Sequence, residues 1–425
     1  MQIKTIKLEN FRGIKEQSIE LVPNINVFVG INGSGKSTIL DAIAISLSWL
    51  VEGIQKIESK GESIPYGSIK NGTDYASILL EVSQESKSYQ WENIEFQRGY
   101  PADKSSNLLQ LNQLVYECQK NYKEKKQLPM IAYYPINRVA KGIVDIRGSE
   151  SVSQLDVYDN ALGRKANFQS FFEWFRLQDD IINEEWKRLA SKVPYYDMIL
   201  SSVNEAKELK VVTKTIENFI PEYKNLRVTR VPTPRMLIEK NGETLSLNQL
   251  SDGEKNMIAM VGDIARRLSM ANPNLDNPLE GDGVVMIDEV DLHLHPSWQR
   301  LIVTRLVETF PNTQFIVTTH SPQILSHVKA EHIFLLKQEN DNISVTKPTE
   351  SYGKSSDRQL EDILGVDARP SDIKKELHQL FKFIQEMKLK EAKELMNRLE
   401  NKIEGREVEL VKANVLIKRK EILGK

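Results

Sequence analysis

Residues Gly30-Ile31-Asn32-Gly33-Ser34-Gly35-Lys36-Ser37 fit the spacing G-x-x-x-x-G-K-[ST]. Glycines at these intervals let successive backbone N–H groups turn inward and cradle phosphate oxygens, and a helix beginning there adds the positive end of its dipole. Lys36 then reaches the β- and γ-phosphates, and Ser37 holds Mg2+. The spacing predicts a nucleotide cradle of Gly30, Asn32, Gly33, Ser34, Gly35, Lys36, Ser37 and Thr38, with ATP and Mg2+ as the ligands such a cradle takes.

A second group follows far downstream. Val284-Val285-Met286-Ile287 is an apolar run ending in Asp288-Glu289. A buried strand would deliver both carboxylates to its C-terminal edge, where ligands bind in open α/β sheets. Asp288 would join the magnesium shell, and Glu289 would orient or deprotonate an attacking water. Alone, an acidic pair after a strand is usually a solvated turn; the phosphate loop in the same chain reverses that weighting. Gln314 to Thr318 is another apolar run, and His320 lies just beyond it. His293 and His295 stand two apart, but no cysteine or third histidine lies nearby to complete a metal set. Leu250-Ser251-Asp252-Gly253-Glu254 precedes a helical pattern over Lys255–Leu268. Ser251 followed by Glu254 three residues on makes a capping box, which by itself needs no ligand.

The elements that must position these groups read as follows. Ile3 to Leu8, Ser18 to Val22 and Asn26 to Val29 are strand-like around a turn at Arg12-Gly13, and Ile39 to Val51 has helical spacing. Ile78 to Val82, Trp91 to Gln97 and Met130 to Pro135 add further strands. From about Ala166 to Tyr223 the pattern is helical, with Phe168, Phe171, Phe172 and Phe175 as a core stripe and no sustained heptads for a long coiled-coil arm. Leu226 to Arg230 and Met236 to Glu239 are strand-like, and Asn241-Gly242 is a hairpin signal. Helix 296–309 between the runs at 284–287 and 314–318 gives a βαβ unit. Leu377, Leu380, Phe381 and Ile384 form the stripe of an amphipathic helix in a charge-rich C-terminal region.

Composition excludes several classes. The 425 residues carry 57 Lys+Arg against 59 Asp+Glu, a net charge of −2, so no global field draws the chain onto nucleic acid. One cysteine excludes an intrachain disulfide and fits a reducing cytoplasm. No secretory segment opens the sequence and no apolar run approaches ~18 residues, so a cytoplasmic protein with no membrane contact is expected.

The segment Leu250–Glu254 together with the phosphate loop resembles the signature motif of ABC-type ATPases, including the heads related to RecF, Rad50 and SMC. Asp252 and Glu254 depart from the common L-S-G-G-Q, a variant familiar in RecF-like and OLD-like ATPases. Asn10-Phe11-Arg12 is similar to the opening of RecF- and Rad50-like heads, which implies Arg12 as a nucleotide contact. Ser68 to Gly72 sits where those heads place a basic loop. The resemblance makes Asp291–Pro296 a D-loop and His320 the switch histidine that bonds the γ-phosphate. No Q-loop glutamine is evident, and Asn137 or Arg138 stands in its place. The blocks Tyr133–Arg138, Phe171–Asp180, Leu250–Leu268, Met286–Arg300, Gln314–Leu325 and Leu360–Leu377 resemble the ATPase subunit of the Septu anti-phage system and its retron-associated relatives, over nearly the whole chain.

That likeness implies an α/β ABC-ATPase head, mixed antiparallel and parallel sheets around a P-loop, with a helical insertion and a C-terminal helical appendage. The divisions expected are 1–145 for lobe I, 146–225 for the insertion, 226–350 for lobe II and 351–425 for a partner or oligomerisation region. It implies a homodimer in which Ser251 and Gly253 of one subunit contact ATP held by the other, a catalytic Glu289 and His320, and a separate HNH-type nuclease subunit, with DNA reached through the complex. A stand-alone RecF-like DNA-repair ATPase is the alternative. An OLD-type fused nuclease would need a Toprim domain, for which residues 351–425 are too few and too helical.

Overall fold

The computed structural model describes residues 1–56, 59–100, 104–138, 153–163, 168–190, 207–231, 235–339 and 342–423. Parts of the helical insertion expected over 146–225 fall outside these. Two compact units are formed, Met1–Lys354 and Ser355–Lys425.

In the first unit, β1 (Gln2–Phe11), β2 (Ile14–Glu20), β4 (Tyr75–Gln84) and β5 (Lys87–Phe96) make an antiparallel sheet in the order β2-β1-β4-β5. The β1–β2 turn is Arg12-Gly13, as the sequence predicts; Phe11 pairs with Ile14 and Arg12 takes a left-handed φ of 51°. β2 ends two residues before Val22, earlier than its alternation predicts. The Val22 N–H instead bonds the Asn26 side chain, which leaves the ladder for a turn.

A second sheet runs β13-β12-β3-β11-β10-β6. It comprises β3 (Ile25–Val29), β6 (Met130–Tyr134), β10 (Gly283–Ile287), β11 (Thr313–Thr319), β12 (Ile333–Glu339) and β13 (Asn342–Thr346), and every residue of β3, β6, β10 and β11 is buried. These near-continuous apolar runs suit parallel strands covered on both faces. All neighbours pair in parallel except β12 with β13. A three-stranded sheet of β7 (Tyr223–Thr229), β8 (Arg235–Lys240) and β9 (Glu243–Ser246) turns at Asn241-Gly242, whose φ values of 52° and 88° match a type I′ hairpin.

The helices of this unit are α1 (Lys36–Gln55), α2 (Leu109–Lys125), α3 (Gln169–Ala190), α4 (Lys207–Phe219), α5 (Asp252–Ala271), α6 (Pro296–Gln299), α7 (Ile302–Thr309) and α8 (Pro322–Leu325). The single helix expected over 296–309 is two. The Leu301 N–H bonds the Trp298 carbonyl three residues back, and the ladder restarts when Arg305 bonds the Leu301 carbonyl. None of α6 is buried, so no packing enforces continuity there. By length and mean hydropathy, 1.4, α1 is long and apolar enough to cross a bilayer. It is a core helix, with Ile39, Leu40, Ile43, Leu47 and Leu50 fully buried. Phe168, Phe171, Phe172 and Phe175 are core, as their spacing predicts, and Phe171 packs where a Cβ on Gly262 of α5 would stand.

The second unit holds α9 (Ser356–Asp362), α10 (Ser371–Gln385), α11 (Leu389–Lys402) and α12 (Val408–Leu423). Its core is Leu377, Leu380 and Ile384 of α10 with Ala392, Leu395, Met396 and Leu399 of α11 and Leu410, Ala413 and Ile417 of α12, Phe381 packing at the edge.

Candidate active site

Strands β3, β11 and β10 are adjacent and parallel, so their C-terminal ends share one edge. The phosphate loop leaves β3, His320 follows β11 and Asp288-Glu289 follow β10. Register makes this specific: Thr319 is beside Val29 and Val317 beside Ile287.

The loop has the shape a phosphate cradle needs. Gly33 and Gly35 take φ of 81° and 95°, which side chains with a Cβ resist. A Cβ on Gly30 would stand 2.4 Å from Ser34 Oγ and 2.6 Å from the Leu336 carbonyl oxygen. Asn32 and Gly33 are exposed, Ser37 and Thr38 half-buried on the first turn of α1. Ser34 Oγ is buried without a hydrogen-bond partner. Lys36 is buried and donates to the Gly30 and Ile31 carbonyls at 3.0 and 3.1 Å, so its ammonium already points into the cradle. Burial lowers its pKa, while Asp288, Glu289 and Asp291 act to raise it. An orphaned hydroxyl, a glycine cradle and a lysine beneath it fit a nucleotide phosphate chain, and the Ser37 hydroxyl with the Asp288 carboxylate is an oxygen set suited to Mg2+.

Asp288 is buried, and its backbone N–H bonds the Tyr134 carbonyl on β6 at 2.9 Å. Thr318 ties the acidic pair together. Its hydroxyl donates to Asp288 Oδ1 at 2.5 Å and accepts the Glu289 N–H at 2.7 Å. Glu289 has φ 48°, so the chain turns sharply there. Burial raises the Glu289 pKa first, then the charges of Asp288 and Asp291. His320 is half-buried, and burial and then Lys36 lower its pKa. Thr319 Oγ1 donates to Asp291 at 2.6 Å, fixing the start of the D-loop to the strand that carries His320.

Three residues play parts that the sequence did not assign to them. Thr318 is one, its hydroxyl invisible inside an apolar strand pattern. Arg138 is the second: it is buried, and its guanidinium donates to the backbone carbonyls of Asp288 and, at 2.5 Å, Glu289. It holds the acidic turn from beneath, where the sequence reading left open a Q-loop role. Burial lowers its pKa to about 10 against the pull of Asp288, Asp291 and Glu289. The third is Asp41 on α1. Arg12 Nη1 lies 2.7 Å from Asp41 Oδ2, and the Tyr133 hydroxyl donates to the other Asp41 oxygen at 3.0 Å. Arg12 therefore sits beside the helix that begins at Lys36, its N–H bonded to the Ser68 carbonyl at 2.7 Å.

Among the described residues, Ser251 and Glu254 bond to one another and to Tyr223 and Lys240 rather than to the phosphate loop, Asp288, Glu289 or His320. Ser251 is exposed and caps α5: Glu254 N–H donates to Ser251 Oγ at 3.4 Å, and Ser251 N–H and Oγ donate to Glu254 Oε2 at 2.8 and 2.7 Å. Glu254 Oε1 accepts from Tyr223 and Lys240, both at 2.5 Å. Burial works to raise the Glu254 pKa, and the bonds from Lys240, Tyr223 and Ser251 outweigh it, bringing it to about 2. Gly253 is the other expected contact in this segment. It is buried, and a Cβ there would lie 2.1 Å from the His293 carbonyl oxygen. The D-loop, with His293 at φ 62°, packs down on it. Among the described residues no group of three or more His, Cys, Asp or Glu side chains could hold a metal.

The family model for the RecF/RecN/SMC N-terminal domain matches residues 2–345. The chain belongs to this family. It is an ABC-type ATPase head by fold, and its family membership supports ATPase activity. Among its relatives, the Retron Ec83 probable ATPase of Escherichia coli is 32% identical, covering 88% of this chain and 78% of that one. The Retron Vc95 probable ATPase of Vibrio cholerae serotype O1 biovar El Tor is 32% identical over 79% of this chain and 74% of its own. The Septu protein PtuA of Bacillus thuringiensis is 22% identical over 86% and 84%. A RecF of Thermoanaerobacter matches only 24% of the chain.

Proposed function

We propose that two copies of this family member close face to face around two ATP molecules, hydrolyse them through Glu289, and by that cycle control a separate HNH-type nuclease in a phage-defence complex. The observation that carries the reading is a division within one chain. The phosphate loop, Asp288, Glu289 and His320 gather at one sheet edge, while Ser251 stands exposed on a rigid capped helix with its own internal partners. A signature serine held away from its own chain's cradle is fitted to a neighbour's. The long matches to retron and Septu proteins, against a short one to RecF, favour defence over stand-alone repair.

In this reading Lys36 leaves the Gly30 and Ile31 carbonyls for phosphate oxygens, and the loop N–H groups from Gly30 to Thr38 bind the same chain of phosphates. Ser37 and Asp288 would hold Mg2+, which would supply charge neutralisation for the phosphates. Glu289, fixed by Thr318 and Arg138, accepts a proton from the attacking water. His320 donates a hydrogen bond to the γ-phosphate, and Arg12, oriented by Asp41, contributes positive charge beside the nucleotide. Ser251 Oγ of the second copy completes the contact. Gly253 contributes by letting the D-loop pack closely. Each charge-assisted hydrogen bond across the interface is worth ~1.5–3 kcal/mol, so two sites shift a dimer equilibrium strongly. Hydrolysis removes those bonds, loosens the pair and changes what the nuclease subunit sees. The four divisions at 145, 225 and 350 remain the working anatomy of this switch, and DNA enters through the complex.

Mixing Lys36→Ala with Ser251→Arg tests the reading. Each variant alone is inactive, and a mixed dimer regains one intact site built from two chains. Recovery of about a quarter to a half of wild-type phosphate release is expected. Mixed dimers demonstrated by mass with no recovery reject the composite site.

A further inference from the structure

Helix α12 has two apolar faces. Leu410, Ala413 and Ile417 are buried in the core of the C-terminal unit. On the other side Val408, Val411, Val415 and Ile422 are 64%, 56%, 60% and 76% exposed. Intervals of three, four and seven place all four within an arc of ~60° at 3.6 residues per turn. Scattered exposed apolar residues need no explanation. Four aligned along one helix face form a seam of the a/d kind, with β-branched residues at the a positions 408, 415 and 422.

The seam is edged by positive charge. At helical spacing Lys412 and Arg419 flank one side, and Lys418 falls at the remaining d position. The nearby acids are committed elsewhere: Glu407 and Glu409 to Arg369 at 3.2 and 3.4 Å, and Glu421 to Lys393 at 2.6 Å. Among the described residues Lys412, Lys418 and Arg419 have no acidic partner.

Charge decides the occupant. A second α12 packed in parallel sets Lys418 against Lys418, and packed antiparallel it sets Lys412 beside Arg419; like charges at such positions repel. A bilayer surface calls for a broad face rich in Trp, Phe or Leu, whereas this stripe is narrow and made of valine and isoleucine, and Leu416, 36% exposed, is set apart from it by Lys412 and Arg419. We infer that the exposed seam of α12 is the docking face for a helix of a different protein, one with an apolar heptad seam and acidic flanks. The inference does not depend on the nucleotide chemistry proposed above.

The test uses the full chain and two labelled four-heptad peptides, each with Ile at a and Leu at d. One carries Glu at every e and g position and the other Lys, which also keeps either peptide from pairing with itself. Fluorescence anisotropy should show binding of the acidic peptide, at least tenfold weaker binding to Val415→Asp and to the Lys418→Glu/Arg419→Glu pair, and several-fold weakening between 0.05 and 0.5 M NaCl. Val415 is on the surface, so circular dichroism and phosphate release of Val415→Asp should match wild type. Failure of the acidic peptide to bind, or equal binding of the basic one, overturns the inference. So does a nucleotide-free dimer that Val415→Asp dissolves, which would make a second copy the occupant. Flotation with vesicles containing phosphatidylserine, lost in Val415→Asp, overturns it in favour of a membrane.

Discussion

Replacing Thr318 with valine keeps the volume of a fully buried side chain and removes the one hydroxyl that links Asp288 to Glu289. The bond to the Asp288 carboxylate is worth ~1.5–3 kcal/mol and the bond from the Glu289 N–H ~0.5–1.5 kcal/mol. Their sum is on the order of 2–4.5 kcal/mol. A loss of ~1.4 kcal/mol in the transition state is tenfold in rate. Part of the loss falls on folding, so we expect kcat for phosphate release at saturating MgATP to drop at least tenfold. KM should change less than threefold, because Lys36 and the phosphate loop are untouched. Thr318→Ser keeps the hydroxyl and should restore most of the rate. A valine variant within twofold of wild-type kcat, or a serine variant as damaged as the valine, would refute the claim that this hydroxyl positions the acidic pair.

Further outcomes follow from the same geometry. Glu289→Gln keeps the turn held by Thr318 and Arg138 but cannot take a proton, so it should accumulate an ATP-bound dimer; an unchanged mass on adding ATP in light scattering would count against dimer closure. Gly253→Ala drives a Cβ into the His293 carbonyl oxygen at 2.1 Å. We expect ~1–3 kcal/mol of overpacking, a melting point lower by a few degrees and loss of most ATPase activity; normal melting and rate would show that the D-loop moves away freely. Glu254, with its carboxyl brought to about 2, stabilises the fold above its unfolded pKa, and that stability is lost as pH falls from the ordinary carboxylate range towards 2. The melting-point gap between wild type and Glu254→Gln should therefore be widest near pH 7 and shrink below about pH 4; a gap independent of pH would contradict it.

The parts of this protein written in short stretches were open to reading. The phosphate loop, the strand before Asp288, the Asn241-Gly242 hairpin and the Ser251 capping box each depend on residues within a few positions of one another, so spacing alone exposes them. Arg138 was visible only as a candidate for the Q-loop position, because its partners, the carbonyls of Asp288 and Glu289, lie 150 and 151 positions away. Asp41 looked like one more polar residue on a helix until Arg12 and Tyr133 were seen on its two oxygens. Thr318 counted only as a strand former. The split of the expected helix 296–309 was also illegible, since periodicity reports which face is apolar and not whether anything packs on it.

Sequence by itself determined the chemistry available: which residue types could bind phosphate, hold a divalent cation and activate water, and the order in which strands deliver them. Tertiary structure alone decided how those residues are held and which can act together. Parallel register puts Val29, Ile287 and Thr319 at one edge, and the D-loop buries Gly253 while Ser251 stays in solvent. Hydrogen bonds and close packing act across space, between atoms a few ångströms apart, and a linear pattern carries no record of distances between residues hundreds of positions apart.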